Sequence, residues 1–245
     1  MRESEPTAPR ALVTGGAVRV GRAIALALGG AGWRVAVHYR SSVTEAGEVV
    51  AFLEAGGAGG VAVSADLEDP ASIDRLFAET ERALGGLDLL VNSAAIFPRH
   101  DPMTVTPAEW DHLFDVNLRA PVLCARAAAR RMVDGGSIVN VIDTGWDEAW
   151  PGYVPYVATK AGLASITRGL ARAWAPKIRV NGVAPGPVLL PEGEDADEDR
   201  EAAAGRTALG RLGAPADVAD AVLYLARAGY VTGEIIRVDG GQHLT

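Results

Sequence analysis

The sequence predicts a doubly wound α/β fold: a seven-stranded parallel sheet with helices on both faces, in a single domain. Three observations predict it. Short β-rich runs alternate strictly with longer helical patterns, and no period repeats. Several short runs, such as Leu87-Asp-Leu-Leu-Val91 and Ser137-Ile-Val-Asn-Val-Ile142, are almost unbroken apolar stretches, as strands covered on both faces require. The chain has 245 residues, 49% hydrophobic and 22% charged, which suits one large domain and excludes general disorder.

Strands are expected at 11–14, 34–39, 61–65, 87–92, 137–142, 178–183 and 235–238, with about six helices between them. A glycine-rich turn leads from the first strand into a helix over 22–28. Asp69-Pro70 starts another, whose Ile73, Leu76, Phe77 and Leu84 share one face. Thr106-Pro-Ala-Glu109 reads as a capping box that opens a long helix, 110–132, through Trp110, Leu113 and Phe114. Pro121 should kink it, having no N–H to give. Such alternation implies right-handed crossovers. The rhythm breaks at 185–206, where Pro185-Gly-Pro187 precedes Glu192-Gly-Glu-Asp-Ala-Asp-Glu-Asp199. So long a connection is either a functional lid, over 187–206, or an acidic surface loop. Residues 1–9 are polar, lack the apolar core of a signal peptide, and read as a flexible tail ahead of a domain over 10–245.

Acids outnumber bases 31 to 23, for a net charge of −8. That argues against nucleic acid or an anionic membrane as the partner. No run of 18 apolar residues occurs, so no membrane span is expected. The single cysteine, Cys124, cannot form an internal disulfide and suits a reducing, cytoplasmic setting. The four histidines, at 38, 100, 112 and 243, make no metal-site spacing with it, and no metal is expected.

The turn after the first strand reads Thr14-Gly15-Gly16-Ala17-Val18-Arg19-Val20-Gly21. Glycines there let the backbone turn tightly and approach a pyrophosphate, which a helix N-terminus then holds. Glycine turns are common. Between strand one and helix one, however, this one indicates a dinucleotide and a Rossmann-type sheet. An acid at the end of strand two would bind a ribose 2′-hydroxyl. Here the chain reads His38-Tyr39-Arg40-Ser41-Ser42. Arg40 can pair with a 2′-phosphate and Ser41 can donate to it, with Arg19 as a second cation near the same pocket. NADP is therefore expected over NAD, the bland alternative being a solvated arginine in a serine turn.

Tyr156 and Lys160 lie four apart on a helical pattern that continues through Leu163, Ile166 and Leu170, hence on one face. Alone, such a pair is often mere surface. An ammonium beside the phenol would favour phenolate and make the tyrosine a usable proton donor near neutral pH. Asp143 ends the fifth strand and Asn92 the fourth, at the sheet edge where ligands of such folds bind, and Asn117 lies in the helix that follows Asn92.

In this order, Thr14–Gly21, Asn92-Ser-Ala-Ala95, Asn117, Tyr156-x-x-x-Lys160, Pro185-Gly186 and Val238-Asp-Gly-Gly241 resemble a short-chain dehydrogenase/reductase from about residue 10 to 245. Within that superfamily the chain looks most like the pteridine reductases. Arg19 replaces a usual glycine, strand two ends in His-Tyr-Arg-Ser, and Asp143 replaces the usual catalytic serine. Phe97 stands where that family stacks a pterin against the nicotinamide.

The resemblance implies that Tyr156 donates the proton and that Lys160 holds the nicotinamide ribose. It implies that Asp143 completes the proton path and that Asn117 helps hold a relay water. Gly15, Arg19, Val20 and Gly21 would hold the phosphates, with Tyr39, Arg40 and Ser41 at the ribose. Asp66 and Leu67 would contact adenine. Asn92, Ala94, Pro185, Gly186 and Val188 would line the cofactor, along with Tyr156 and Lys160. Phe97, Arg19, Asp143 and Tyr156 would meet the substrate. The chain departs from the family at Ser93 and at Ala95, where pteridine reductases often carry a serine.

The expected function is NADPH-dependent reduction of a pterin or dihydropterin. The alternative is a carbonyl reductase acting on a 3-oxoacyl carrier protein or a small ketone. For that task serine suits better than an ionised Asp143, which cannot donate to the carbonyl oxygen. A module binding NADP without turnover would not need the Tyr156/Lys160 pair. A homotetramer is expected, joined through the helix at 110–132 and the chain end at 233–245.

Overall fold

The computed structural model describes residues 8–190 and 197–245. Most of the expected tail at 1–9 and the central part of the expected lid therefore lie outside the described residues. The strands are β1 (Arg10–Thr14), β2 (Arg34–Tyr39), β3 (Gly60–Ser64), β4 (Leu89–Asn92), β5 (Gly136–Val141), β6 (Ile178–Pro185) and β7 (Ile235–Val238). They form one sheet in the order β3-β2-β1-β4-β5-β6-β7, every pair parallel. The chain reverses direction across the sheet between β1 and β4, where doubly wound sheets open a crevice at the carboxyl ends of their strands.

Side chains alternate along each strand, so each face has its own core. On one face Val13, Val37, Val91 and Val139 pack against Ile24 and Leu28 of α1 (Arg19–Gly30), Leu53 of α2 (Val43–Ala55) and Val222 of α8 (Pro215–Arg227). On the other, Leu12, Leu90, Ile138 and Val180 meet Phe77 of α3 (Pro70–Leu84), Cys124 of α5 (Ala120–Arg131) and Ala171 of α6 (Val154–Trp174). Asp69 caps α3 by accepting from Ala71 and Ser72, and the Thr106–Glu109 capping box opens α4 (Pro107–Phe114), both as expected.

Eight α-helices occur among the described residues rather than about six. The expected helix over 110–132 is two, α4 and α5, joined by a π-helical turn at Asp115–Arg119. Pro121 is not a mid-helix kink but lies in the first turn of α5. Without its N–H the carbonyl of residue 117 has no i+4 donor, and the ladder widens so that the Ala120 amide bonds the Asp115 carbonyl. The further helix, α7 (Asp197–Gly205), forms within the segment read as a lid.

Candidate active site

The glycine turn is shaped by contacts that exclude a Cβ. Gly15 has φ +63°, and a Cβ on it would lie 2.9 Å from Ala94 Cα. A Cβ on Gly21 would lie 2.1 Å from the Gly15 carbonyl oxygen. Arg19, at φ +51°, adopts the left-handed conformation that favours glycine. Two side chains pin this turn. Thr14 Oγ1 accepts from the amides of Ser93 (3.0 Å) and Ala94 (3.1 Å), joining it to the loop after β4. His38 is buried; its Nδ1 accepts from the Gly15 amide at 3.0 Å and its Nε2 donates to the Ala65 carbonyl at 3.1 Å. Burial lowers the His38 pKa, which suits the neutral ring this bonding requires.

Around this turn opens a cleft of about 460 Å³. Gly15, Arg19, Val20 and Gly21 line its floor; Tyr39, Arg40 and Ser41, then Asp66 and Leu67, line one end. Ala94, Tyr156, Lys160, Pro185, Gly186 and Val188 line the other. A dinucleotide fits this set, because the glycine turn and the N-terminus of α1 line the cleft and Gly15 and Gly21 bring no Cβ to it.

Three expected residues are placed differently. Asn92 turns away from the cleft and donates to Pro121 O (3.2 Å) and Asn140 Oδ1 (2.9 Å). The register that sets Asn92 beside Asn140 buries both between β4 and β5. Asn117 is fully buried in the π turn, where its carboxamide exchanges two bonds with Ile96: Nδ2 to O at 2.8 Å, and N to Oδ1 at 2.9 Å. Its side chain thus fixes the loop after β4, and the group left for a relay water is its backbone carbonyl, which Pro121 leaves without an i+4 donor. Arg19 lines the cleft, yet its guanidinium donates to the Leu190 carbonyl at 2.9 Å, drawn towards the segment after β6 rather than to Arg40.

A second cavity, of about 530 Å³, adjoins the first and shares Phe97, Asp143, Gly186 and Leu189 with it. One wall is aromatic. Phe97 stacks on Tyr153 with ring centroids 4.4 Å apart, and its edge meets Tyr156 at 4.5 Å. Trp150 meets Tyr153 edge-on at 6.2 Å. Opposite lie Leu189 and Leu190, with Asp199 and Ala202 of α7. Phe97 was the member of this wall expected to meet the substrate; Trp150 and Tyr153 were not anticipated, and nothing in their spacing announces a cavity.

Where the cavities meet, Tyr156 Oη donates to Asp143 Oδ2 at 2.9 Å. Asp143 Oδ1 accepts from the Gly145 amide at 2.8 Å, so this residue both caps its loop and holds the tyrosine. Lys160 Nζ donates to the Val141 carbonyl at 3.0 Å. Tyr156 and Lys160 are only 5% and 3% exposed, although both are polar. Burial raises the Asp143 pKa, against the pull of the Gly145 amide, Lys160 and Tyr156. Burial lowers the Lys160 pKa to about 8, opposed by Asp143. Burial, then the Asp143 carboxylate, pushes Tyr156 well above its ordinary value. The expectation that Lys160 would favour phenolate is therefore reversed: desolvation and Asp143 outweigh it, and Tyr156 keeps its proton.

Residues 16–243 match the family described as enoyl-(acyl carrier protein) reductase. The chain is 36% identical over 241 residues to a 3-oxoacyl-[acyl-carrier-protein] reductase FabG of Staphylococcus aureus, covering 96% of this chain and 98% of that one. It is 38% identical over 248 residues to versicolorin reductase 1 of Aspergillus parasiticus, with 94% and 95% covered. Among solved structures, a short-chain dehydrogenase of Burkholderia cenocepacia in complex with NADP superposes with a TM-score of 0.90 at 35% identity, covering 96% of this chain and 98% of that one. With the sheet order, the glycine cradle and the Tyr156–Lys160 pair, these likenesses make one conclusion: the chain belongs to the short-chain dehydrogenase/reductase superfamily and is a nicotinamide-dependent oxidoreductase.

Proposed function

We propose that the protein is an NADPH-dependent carbonyl reductase whose ketone substrate lies against the aromatic wall of Phe97 and Tyr153. The observation that carries this reading is the buried Asp143–Tyr156–Lys160 group at the junction of the two cavities. The cofactor is NADP(H), which supplies the hydride. Tyr156 is the proton source, and its high pKa keeps it loaded. In the free protein its hydrogen points to Asp143. Protonation of Asp143, which burial favours, turns a carboxylate into a weaker acceptor and so loosens its hold on the Tyr156 hydroxyl, which can then donate into the cavity. The neutral carboxyl can itself donate to the carbonyl oxygen, as a serine would, whereas a carboxylate would repel the developing alkoxide. Lys160, held by Val141, sets its charge behind the tyrosine and offsets negative charge as the proton leaves. The two named relatives are a 3-oxoacyl and a versicolorin reductase, and both support the carbonyl reading.

Pterin reduction stands second. It is favoured by Asp143 in place of serine and by the 39% exposure of Phe97. Against it, Tyr153 already covers one face of that ring. The deciding assay is NADPH oxidation with acetoacetyl thioesters, cyclic and aryl ketones, dihydrobiopterin and dihydrofolate. Ketones should turn over, more slowly as pH rises and Asp143 ionises. Turnover of pterins alone would move the assignment to the second reading. The free, buried thiol of Cys124 agrees with a cytoplasmic setting.

A further inference from the structure

No acid stands at the end of β2, yet the fold brings one to the same place from another element. Glu68 lies in the turn between β3 and α3 and lines the cofactor cleft beside Arg40, Ser41 and Ser42. Its Oε2 is 3.9 Å from Arg40 Nη1. Its other oxygen is 2.7 Å from His112 Nδ1 of α4. Its backbone is tied on both sides, the amide donating to Asp66 Oδ1 (3.0 Å) and the carbonyl accepting from Arg119 (3.3 Å). Glu68 is therefore a placed carboxylate, with a side chain 29% exposed. Arg40 is 60% exposed and has no other ion-pair partner among the described residues.

We propose that Glu68 sets cofactor discrimination at the adenosine ribose. It does so by competing with the 2′-phosphate for Arg40 and by opposing that phosphate's charge. The inference rests on the NADPH reading and refines it. A 2′-phosphate must draw Arg40 away from Glu68 and then sit near a carboxylate that His112 holds in place. A 2′-hydroxyl has no such conflict and can donate to Glu68. Preference for NADPH over NADH is thus graded, with Arg40 raising it and Glu68 lowering it.

The test measures binding of 2′,5′-ADP and 5′-AMP by calorimetry. In Glu68→Gln, which keeps the shape and drops the charge, 2′,5′-ADP should bind roughly three- to tenfold more tightly, as removing one unit charge near a surface phosphate implies. Binding of 5′-AMP should stay level or weaken. The gain should shrink in high salt, and it should be smaller between Arg40→Ala and the Arg40→Ala/Glu68→Gln double variant, because the share of the effect that runs through Arg40 is then gone. Glu68→Ser gives the same test should the glutamine variant misfold. An unchanged affinity for 2′,5′-ADP, or an equal gain for both nucleotides, would overturn the proposal. The underlying cofactor reading fails separately, if the wild-type protein does not prefer 2′,5′-ADP to 5′-AMP.

Discussion

One methyl group measures how tightly the phosphate turn is built. A Cβ at Gly21 meets the Gly15 carbonyl oxygen at 2.1 Å, and that obstacle is backbone, which cannot rotate aside. Gly21→Ala should cost about 2 kcal/mol or more of stability, at the upper end for overpacking, and weaken NADPH binding at least tenfold. Urea titration and fluorescence binding would check both, and a stable variant with normal affinity would contradict the cradle. Asp143 gives a pH test. Its raised pKa means that the folded protein holds this proton more tightly than the unfolded chain. The stability so gained is fully present below about pH 3.9, the unfolded value, and is lost as pH rises through the folded value. Asp143→Asn removes the titration, so its melting temperature should gain on the wild type as pH rises above about 3.9, and the gain should level off once the folded value is passed. A constant difference throughout would show that burial does not perturb the carboxyl. The placing of Tyr156 and Lys160 on one face of a helix follows from spacing and was legible in the sequence, whereas the sense in which burial shifts them was not. Nor was the clamp by His38, since it depends on β1 and β3, the two neighbours of β2, placing Gly15 and Ala65 on opposite sides of one ring.

At the scale of elements, the sequence told where chains start and stop better than how they bend. The caps at Asp69 and Thr106 are local chemistry and were readable. The π turn was not, because the missing Pro121 N–H can be absorbed by a kink or by a wider ladder, and only packing around Asn117 chooses. That choice aims the Asn117 carboxamide at both backbone groups of Ile96. Asn117→Ala would leave the part-buried amide and carbonyl of Ile96 short of partners, a loss of about 1 kcal/mol for each bond. It should also loosen the loop that carries Ala94 and Phe97, raising KM for NADPH. Denaturant melts with steady-state kinetics would test this, and an unchanged melt would assign Asn117 no structural role. The acidic segment offers a second element-scale test. Ala203 is the buried residue of α7, and Asp199 and Ala202 face the substrate cavity opposite Phe97. So thinly anchored a helix should act as a lid. Its hydrogen exchange should slow on adding NADPH with a ketone, and exchange that ignores both would leave it a surface helix.

For the whole molecule, strict alternation of strand and helix was enough to anticipate seven parallel strands, because chain connectivity and right-handed crossovers leave few other arrangements. It could not anticipate two cavities meeting at Asp143, since their walls come from loops whose course no periodicity describes. Nor does one chain fix its own assembly, though its surface constrains it. Trp110 and Phe114 stack at 5.1 Å on the outer side of α4, each only partly buried. Leu209 and Leu244, 65% and 75% exposed, lie together at the chain terminus, where the Leu209 amide bonds the Gly240 carbonyl. Two separate apolar surfaces can each pair with themselves about a two-fold axis, and two such axes generate a homotetramer. Light scattering should therefore return about four times the 25.4 kDa chain mass. Each chain carries a net charge of −8, so assembly brings like charges together and should tighten as salt screens them. Phe114→Glu places a charge in one interface only and should leave dimers held by the chain ends. A wild-type monomer at micromolar concentration would refute the assembly. A Phe114→Glu tetramer would instead move its first interface away from α4.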